Sequence, residues 1–68
     1  MKNRIFYHYT TKEQALKEYQ SLLTEEQYFA EQWTDTEEDF KEWCEINDIV
    51  LTKTKERAEE LEEIQFND

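Results

Sequence analysis

The 68-residue sequence predicts a mainly α fold: one small domain of three to four short helices with a short N-terminal strand, becoming α+β if residues 49–53 pair with that strand. Three observations lead there. Glycine and proline are both absent, which leaves tight primed hairpins and flexible linkers without support. Thr10–Glu13, Thr11–Gln14, Thr24–Gln27 and Thr34–Glu37 repeat a spacing in which a hydroxyl and an acid or amide satisfy orphan amides at a helix start. Behind each signal, apolar residues recur at steps of three and four.

The elements follow in chain order. RIFYHYT, residues 4–10, is dense in β-formers and alternates Ile5, Tyr7 and Tyr9 against Phe6 and His8, the period of a short strand. Ala15, Leu16, Tyr19, Leu22 and Leu23 then mark a first helix over residues 11–23. Thr24 and Gln27 open a short second helix with Tyr28, Phe29 and Trp33 as its apolar side. A third helix over residues 36–47 turns Phe40, Trp43 and Cys44 inward and Glu38, Glu42 and Glu45 outward. Asn47 and Asp48 end it where glycine would be usual. Residues 49–51, Ile-Val-Leu, fit either a strand or an apolar turn between helices. Thr52 or Thr54 caps a fourth helix with Ala58, Leu61 and Ile64 at steps of three.

Leu, Ile, Val and Phe make up about a fifth of the chain, near the level below which a strongly charged sequence stays unfolded. Ten aromatic residues tip the balance toward folding, since each buries on the order of 150–250 Å². The missing glycine also removes phosphate-cradling loops and dinucleotide fingerprints. Cys44 is the single cysteine, so no internal disulfide forms, which fits a reducing compartment. No signal peptide and no apolar run near the ~18 residues of a membrane span are visible, giving a cytoplasmic expectation.

The net charge of −10 is uneven. Residues 1–24 net +2, residues 25–51 net −9 and residues 52–68 net −3. Helix geometry explains much of the middle pole. Glu25, Glu26, Glu37, Glu38 and Asp39 fall in first turns, where the macrodipole favours a carboxylate by about 0.3–1 kcal/mol. Asp35 and Asp48 read as caps or turn residues. Glu31, Glu42 and Glu45 are left over, and like-charge pairs such as Glu38–Glu42 and Glu42–Glu45 each cost a few tenths of a kcal/mol, so roughly that much is spent twice on one face. A thin-cored domain that tolerates this load points either to solubility or to a basic partner.

Several chemistries are set aside. Asp35, Glu37 and Asp39 alternate as in a calcium loop, but Phe40 and Ile46 stand where that loop needs glycine and a bidentate glutamate. His8 and Cys44 are the only such pair, with no mark of an oxyanion hole or orienting group, and two soft ligands do not make a zinc site. FYHYTT resembles the opening strand of some ADP-ribosyltransferase folds over six residues, and the rest of the chain is too short for such a domain. Residues 39–61 fit a helix-turn-helix DNA binder with Lys53, Lys55 and Arg57 on the reading helix, against a local charge that repels phosphate.

The expectation is therefore a non-enzymatic acidic interaction protein without cofactor or metal. Glu31, Asp35, Glu37, Glu38, Asp39, Glu42 and Glu45, with Trp33 as an aromatic anchor, would occupy the basic groove of a nucleic-acid-binding enzyme and displace its DNA or RNA. Small acidic phage-type inhibitors share these gross properties. The partner is thus a basic protein, with no direct nucleic acid and no membrane. The rival is an accessory helical domain whose acidity serves solubility alone.

Overall fold

The computed structural model describes residues 6–67, in the order β1 (His8–Thr11), α1 (Lys12–Glu25), α2 (Gln27–Gln32), α3 (Glu37–Ile46), β2 (Ile49–Thr52) and α4 (Lys55–Asn67). The fold is mainly helical with a two-stranded parallel sheet, so the α+β alternative is realised. His8 pairs with Ile49, Tyr9 with Val50, Thr10 with Leu51 and Thr11 with Thr52. Three helices make the crossover that a parallel pair requires.

The strand expected over 4–10 lies further along the chain. Residues 4 and 5 fall outside the described residues, and Phe6 and Tyr7 lead into the strand without joining it. Pairing begins at His8 because its N–H reaches the carbonyl of Asp48 at 2.9 Å. Thr11 then serves two elements. Its extended backbone closes β1, and its Oγ1 accepts from the Gln14 amide at 3.2 Å to cap α1. Thr10 stays in the strand and caps nothing.

Helix ends account for two further departures. Thr24 does not open α2: it is still helical, and its hydroxyl donates to the Gln20 carbonyl at 3.0 Å. The break falls at Glu26, which is extended and caps without its side chain. Thr34 likewise yields to Thr36, whose side chain accepts from the Asp39 amide. At the far end of α3, Asp48 takes φ 54°, the left-handed position that glycine would ordinarily hold. Thr54 rather than Thr52 caps α4, accepting from the Arg57 amide at 3.1 Å. Thr52 turns its hydroxyl to the Thr10 and Thr54 carbonyls instead.

The core is aromatic. Tyr19 is fully buried, with ring centroids of Phe29, Phe40 and Trp43 at 5.5, 5.4 and 5.3 Å. Its hydroxyl donates to the Thr34 carbonyl at 2.6 Å, giving the phenol's polar end the partner that burial demands. Ala15, Phe40, Trp43 and Cys44 complete the buried cluster, and Leu16, Leu22, Leu23, Phe29, Trp33 and Ile49 pack around it. The inward face foreseen for α3 is thus observed.

Two apolar assignments are corrected. Tyr28 is 81% exposed: Phe29 and Trp33, four apart, share the inner face of the short α2 segment, and Tyr28 points about 100° away. Ile64 is 57% exposed, because α4 turns Ala58, Leu61, Glu62 and Gln65 toward the rest of the domain. Gln65 closes the N-terminal segment, its carboxamide accepting from the Tyr7 amide at 2.7 Å and donating to the Tyr7 carbonyl at 2.8 Å.

Candidate acidic interface

The seven mid-chain acids do not share one environment. Glu38, Glu42 and Glu45 are exposed and fall within about 60° of one another around α3, directly opposite Phe40, Trp43 and Cys44. No hydrogen bond or ion pair holds any of the three carboxylates among the described residues. Glu31 is exposed on α2, and Asp35 is exposed in the connection that follows. Lys41 stands on the flank of the ridge, three or four residues from Glu37, Glu38 and Glu45, and offsets part of its charge.

Glu37 and Asp39 have structural employment. The Lys12 ammonium lies 3.1 Å from Glu37 and ties the start of α3 to the start of α1. That hydrogen bond, then the Lys12 charge, then Lys41, hold the Glu37 carboxyl below its ordinary range. The pair is exposed on both sides, so its contribution to stability is small. Asp39 Oδ2 accepts from the Thr34 hydroxyl at 2.7 Å and from the Thr34 amide at 2.8 Å. These bonds lower the Asp39 pKa, the hydroxyl contributing more than the amide. Asp39 thereby buckles the α2–α3 connection onto the first turn of α3, beside the carbonyl that receives the Tyr19 hydroxyl.

The pH consequence has a definite sign. A carboxyl whose folded pKa lies below its unfolded value stabilises the fold fully above the unfolded pKa and stops doing so as pH falls through the folded one. In a carboxyl-detected NMR titration Asp39 should therefore protonate below the ordinary aspartate range and Glu37 below the ordinary glutamate range. Asp39→Asn should flatten the loss of stability below about pH 4. An Asp39 that titrates in the ordinary aspartate range would overturn the tether to Thr34.

Trp33 is half-buried, caps the end of α2, and stacks on Phe29 at a centroid distance of 6.2 Å. It is chiefly a core side chain with one accessible flank. Trp43 is 6% exposed and belongs wholly to the interior.

The other sequence candidates are placed apart. Cys44 is buried and desolvation raises its thiol pKa, the opposite of an activated nucleophile. His8 is on β1 with its Nδ1 3.4 Å from Glu62 of α4, so it engages a carboxylate and not the thiol. Lys53 lies between β2 and α4, Lys55 and Arg57 open α4, and Arg57 pairs with Glu60 at 2.9 Å. Strand β2 occupies the place where a helix-turn-helix needs a short turn, so residues 39–61 do not form that motif. Among the described residues no helix is long and apolar enough to cross a membrane, and no group of three or more His, Cys, Asp or Glu side chains could hold a metal ion. The contacts that sequence reasoning missed, Tyr7–Gln65 and Lys12–Glu37, join residues 58 and 25 positions apart and leave no local signal. Comparison with protein-family models, curated proteins and solved structures finds no match to this chain.

Proposed function

We propose that this chain is a non-enzymatic interaction protein that lays the exposed ridge of α3 into the basic, nucleic-acid-binding groove of another protein and inhibits it by occlusion. The observation that carries the reading is the ridge itself. Glu38, Glu42 and Glu45 stand together, exposed and without a cationic partner among the described residues, on the helix whose other face is the domain's core. A rigid packed helix presents charge without the entropy cost of ordering a loop.

The magnitudes bound what α3 does alone. From Glu38 to Glu45 the helix rises about 10.5 Å, a length of duplex that carries roughly six phosphate charges. The ridge supplies three, about half that density. Glu31 and Asp35 precede α3 in the chain and Asp48 follows it, all three exposed, and Asp35 lies beside Lys12, Leu16 and Phe40 on the α1 side of the helix. Glu37 and Asp39 contribute field but not free side chains, since Lys12 and Thr34 hold them. Trp33 offers an apolar flank beside Asp35 rather than a projecting anchor.

The test uses the immobilised chain against host lysate, with the captured protein identified by mass spectrometry and then purified. Its affinity should fall about tenfold or more between 50 and 200 mM salt, and duplex DNA or RNA should compete with the chain for the same protein. A labelled duplex should not shift with this chain alone. Binding that is indifferent to salt and to duplex would leave the rival, an accessory domain kept soluble by its acids.

A further inference from the structure

A second surface, on different residues, lies along the outer edge of β1. The His8 amide bonds the Asp48 carbonyl, so in the parallel register the N–H and C=O of His8 and Thr10 point toward β2. Those of Tyr7 and Tyr9 consequently point the other way. At Tyr7 that outward pair is met by the Gln65 carboxamide, which takes both bonds as a neighbouring strand would. At Tyr9, two residues on, no described residue meets it.

A cavity of about 440 Å³ opens at this point. All four β1 residues line it, although neighbours on a strand send their side chains to opposite faces; the backbone edge is what they share on one side. Gln14 closes one end, and Lys55, Ala58, Glu59 and Glu62 of α4 form the far wall. Ala58 is buried, its small side chain letting α4 pack against β1. A two-stranded sheet of four-residue strands is also short of the three strands that make a sheet self-supporting.

We propose that this slot accepts an extended, basic segment of a partner polypeptide, which adds beside β1 as a third strand through the Tyr9 N–H and C=O. The Gln65–Tyr7 contact is the intramolecular form of the same pairing. Charge selects the occupant. The α4 wall has two carboxylates, Glu59 and Glu62, against one ammonium, Lys55. A second copy of this chain would bring a further net charge of −10 to a domain that already carries it, whereas a lysine- or arginine-bearing strand is attracted both by the wall and by the whole molecule. The inference does not depend on the α3 ridge.

The experiment titrates a blocked peptide of alternating lysine and valine into the full-length ¹⁵N-labelled chain. Shifts should centre on residues 8–11 and 55–62, and exchange of the Tyr9 amide should slow about tenfold or more at saturation. Tyr9→Pro removes the outward donor and keeps the ladder to β2, while Tyr9→Ala removes the same ring and keeps the donor. Affinity should drop about tenfold from Tyr9→Ala to Tyr9→Pro. Leu51→Pro, at the outer edge of β2, should bind as the native chain does. Should Tyr9→Pro fail to fold, Glu59→Lys on the exposed wall supplies the comparison and should weaken the peptide to a similar degree. Equal affinity of Tyr9→Ala and Tyr9→Pro, shifts centred on Glu38, Glu42 and Glu45, or no binding at all would each overturn the slot.

Discussion

Tyr19→Ala is expected to abolish cooperative folding at 25 °C. Tyr19 is the one aromatic side chain at 0% exposure, and its ring touches Phe29, Phe40 and Trp43. Truncating a buried aromatic residue costs about 3–5 kcal/mol. A folded chain of this length has roughly 3–10 kcal/mol in total at the usual 0.05–0.15 kcal/mol per residue. A thin-cored chain sits toward the lower end of that range, where the substitution consumes most or all of the stability. Tyr19→Phe is the milder companion. It keeps every ring contact and removes only the bond from the hydroxyl to the Thr34 carbonyl. Because Thr34 is exposed, its carbonyl can turn to water, and the cost should stay near 1 kcal/mol. Urea titrations followed by far- and near-ultraviolet circular dichroism would read both variants. A Tyr19→Ala midpoint within 1 M of the native one would disprove the central role of this ring.

The difference between what was legible in the residues and what was not follows the range of the interactions. Phe40, Trp43 and Cys44 could be assigned to the inside of α3 because spacing along one helix decides it. Thr11 could be assigned as a cap because its partner amide, Gln14, lies three residues away. The same signal misled at Thr24 and Thr34. The Thr-x-x-Glu/Gln spacing does not say which residue is extended, and at both places the cap of the next helix falls two positions later than the spacing implies. Pairing of β2 with β1 was open in the sequence, since it depends on residues some forty positions apart. Ile64 misled for a related reason. Its apolar character suggested an inward position, whereas the neighbouring Gln65 is recruited by Tyr7 from the other end of the chain. At the interface, exposure of Glu38, Glu42 and Glu45 was readable from periodicity. The capture of Glu37 by Lys12 and of Asp39 by Thr34 was not, because both depend on how α1, α2 and α3 meet.

The triple variant Glu38→Gln, Glu42→Gln, Glu45→Gln should separate architecture from function in one construction of the chain. The three positions contribute unequally to the fold. Glu38 lies in the first turn of α3, where its charge favours the helix, so its loss costs about 0.3–1 kcal/mol. Glu45 lies in the last turn, where the helix end is itself negative and no basic residue shares the turn, so its replacement returns a similar amount. Relief of the Glu38–Glu42 and Glu42–Glu45 repulsions adds a few tenths of a kcal/mol each, roughly balanced in part by lost attraction to Lys41. The triple variant should thus be as stable as the native chain or more stable by about 0.5 kcal/mol. Affinity for the basic partner should nonetheless fall about a hundredfold at 50 mM salt, if each carboxylate contributes near 1 kcal/mol to the contact. Glu45 is the informative member. A carboxylate in the last turn of a helix is poorly placed for stability, so its presence is better explained by what the outer surface meets. Glu45→Gln alone should raise the urea midpoint while weakening binding. A variant that loses stability and binds undiminished would mean that the acids serve the helix, and that the interface lies elsewhere on the molecule.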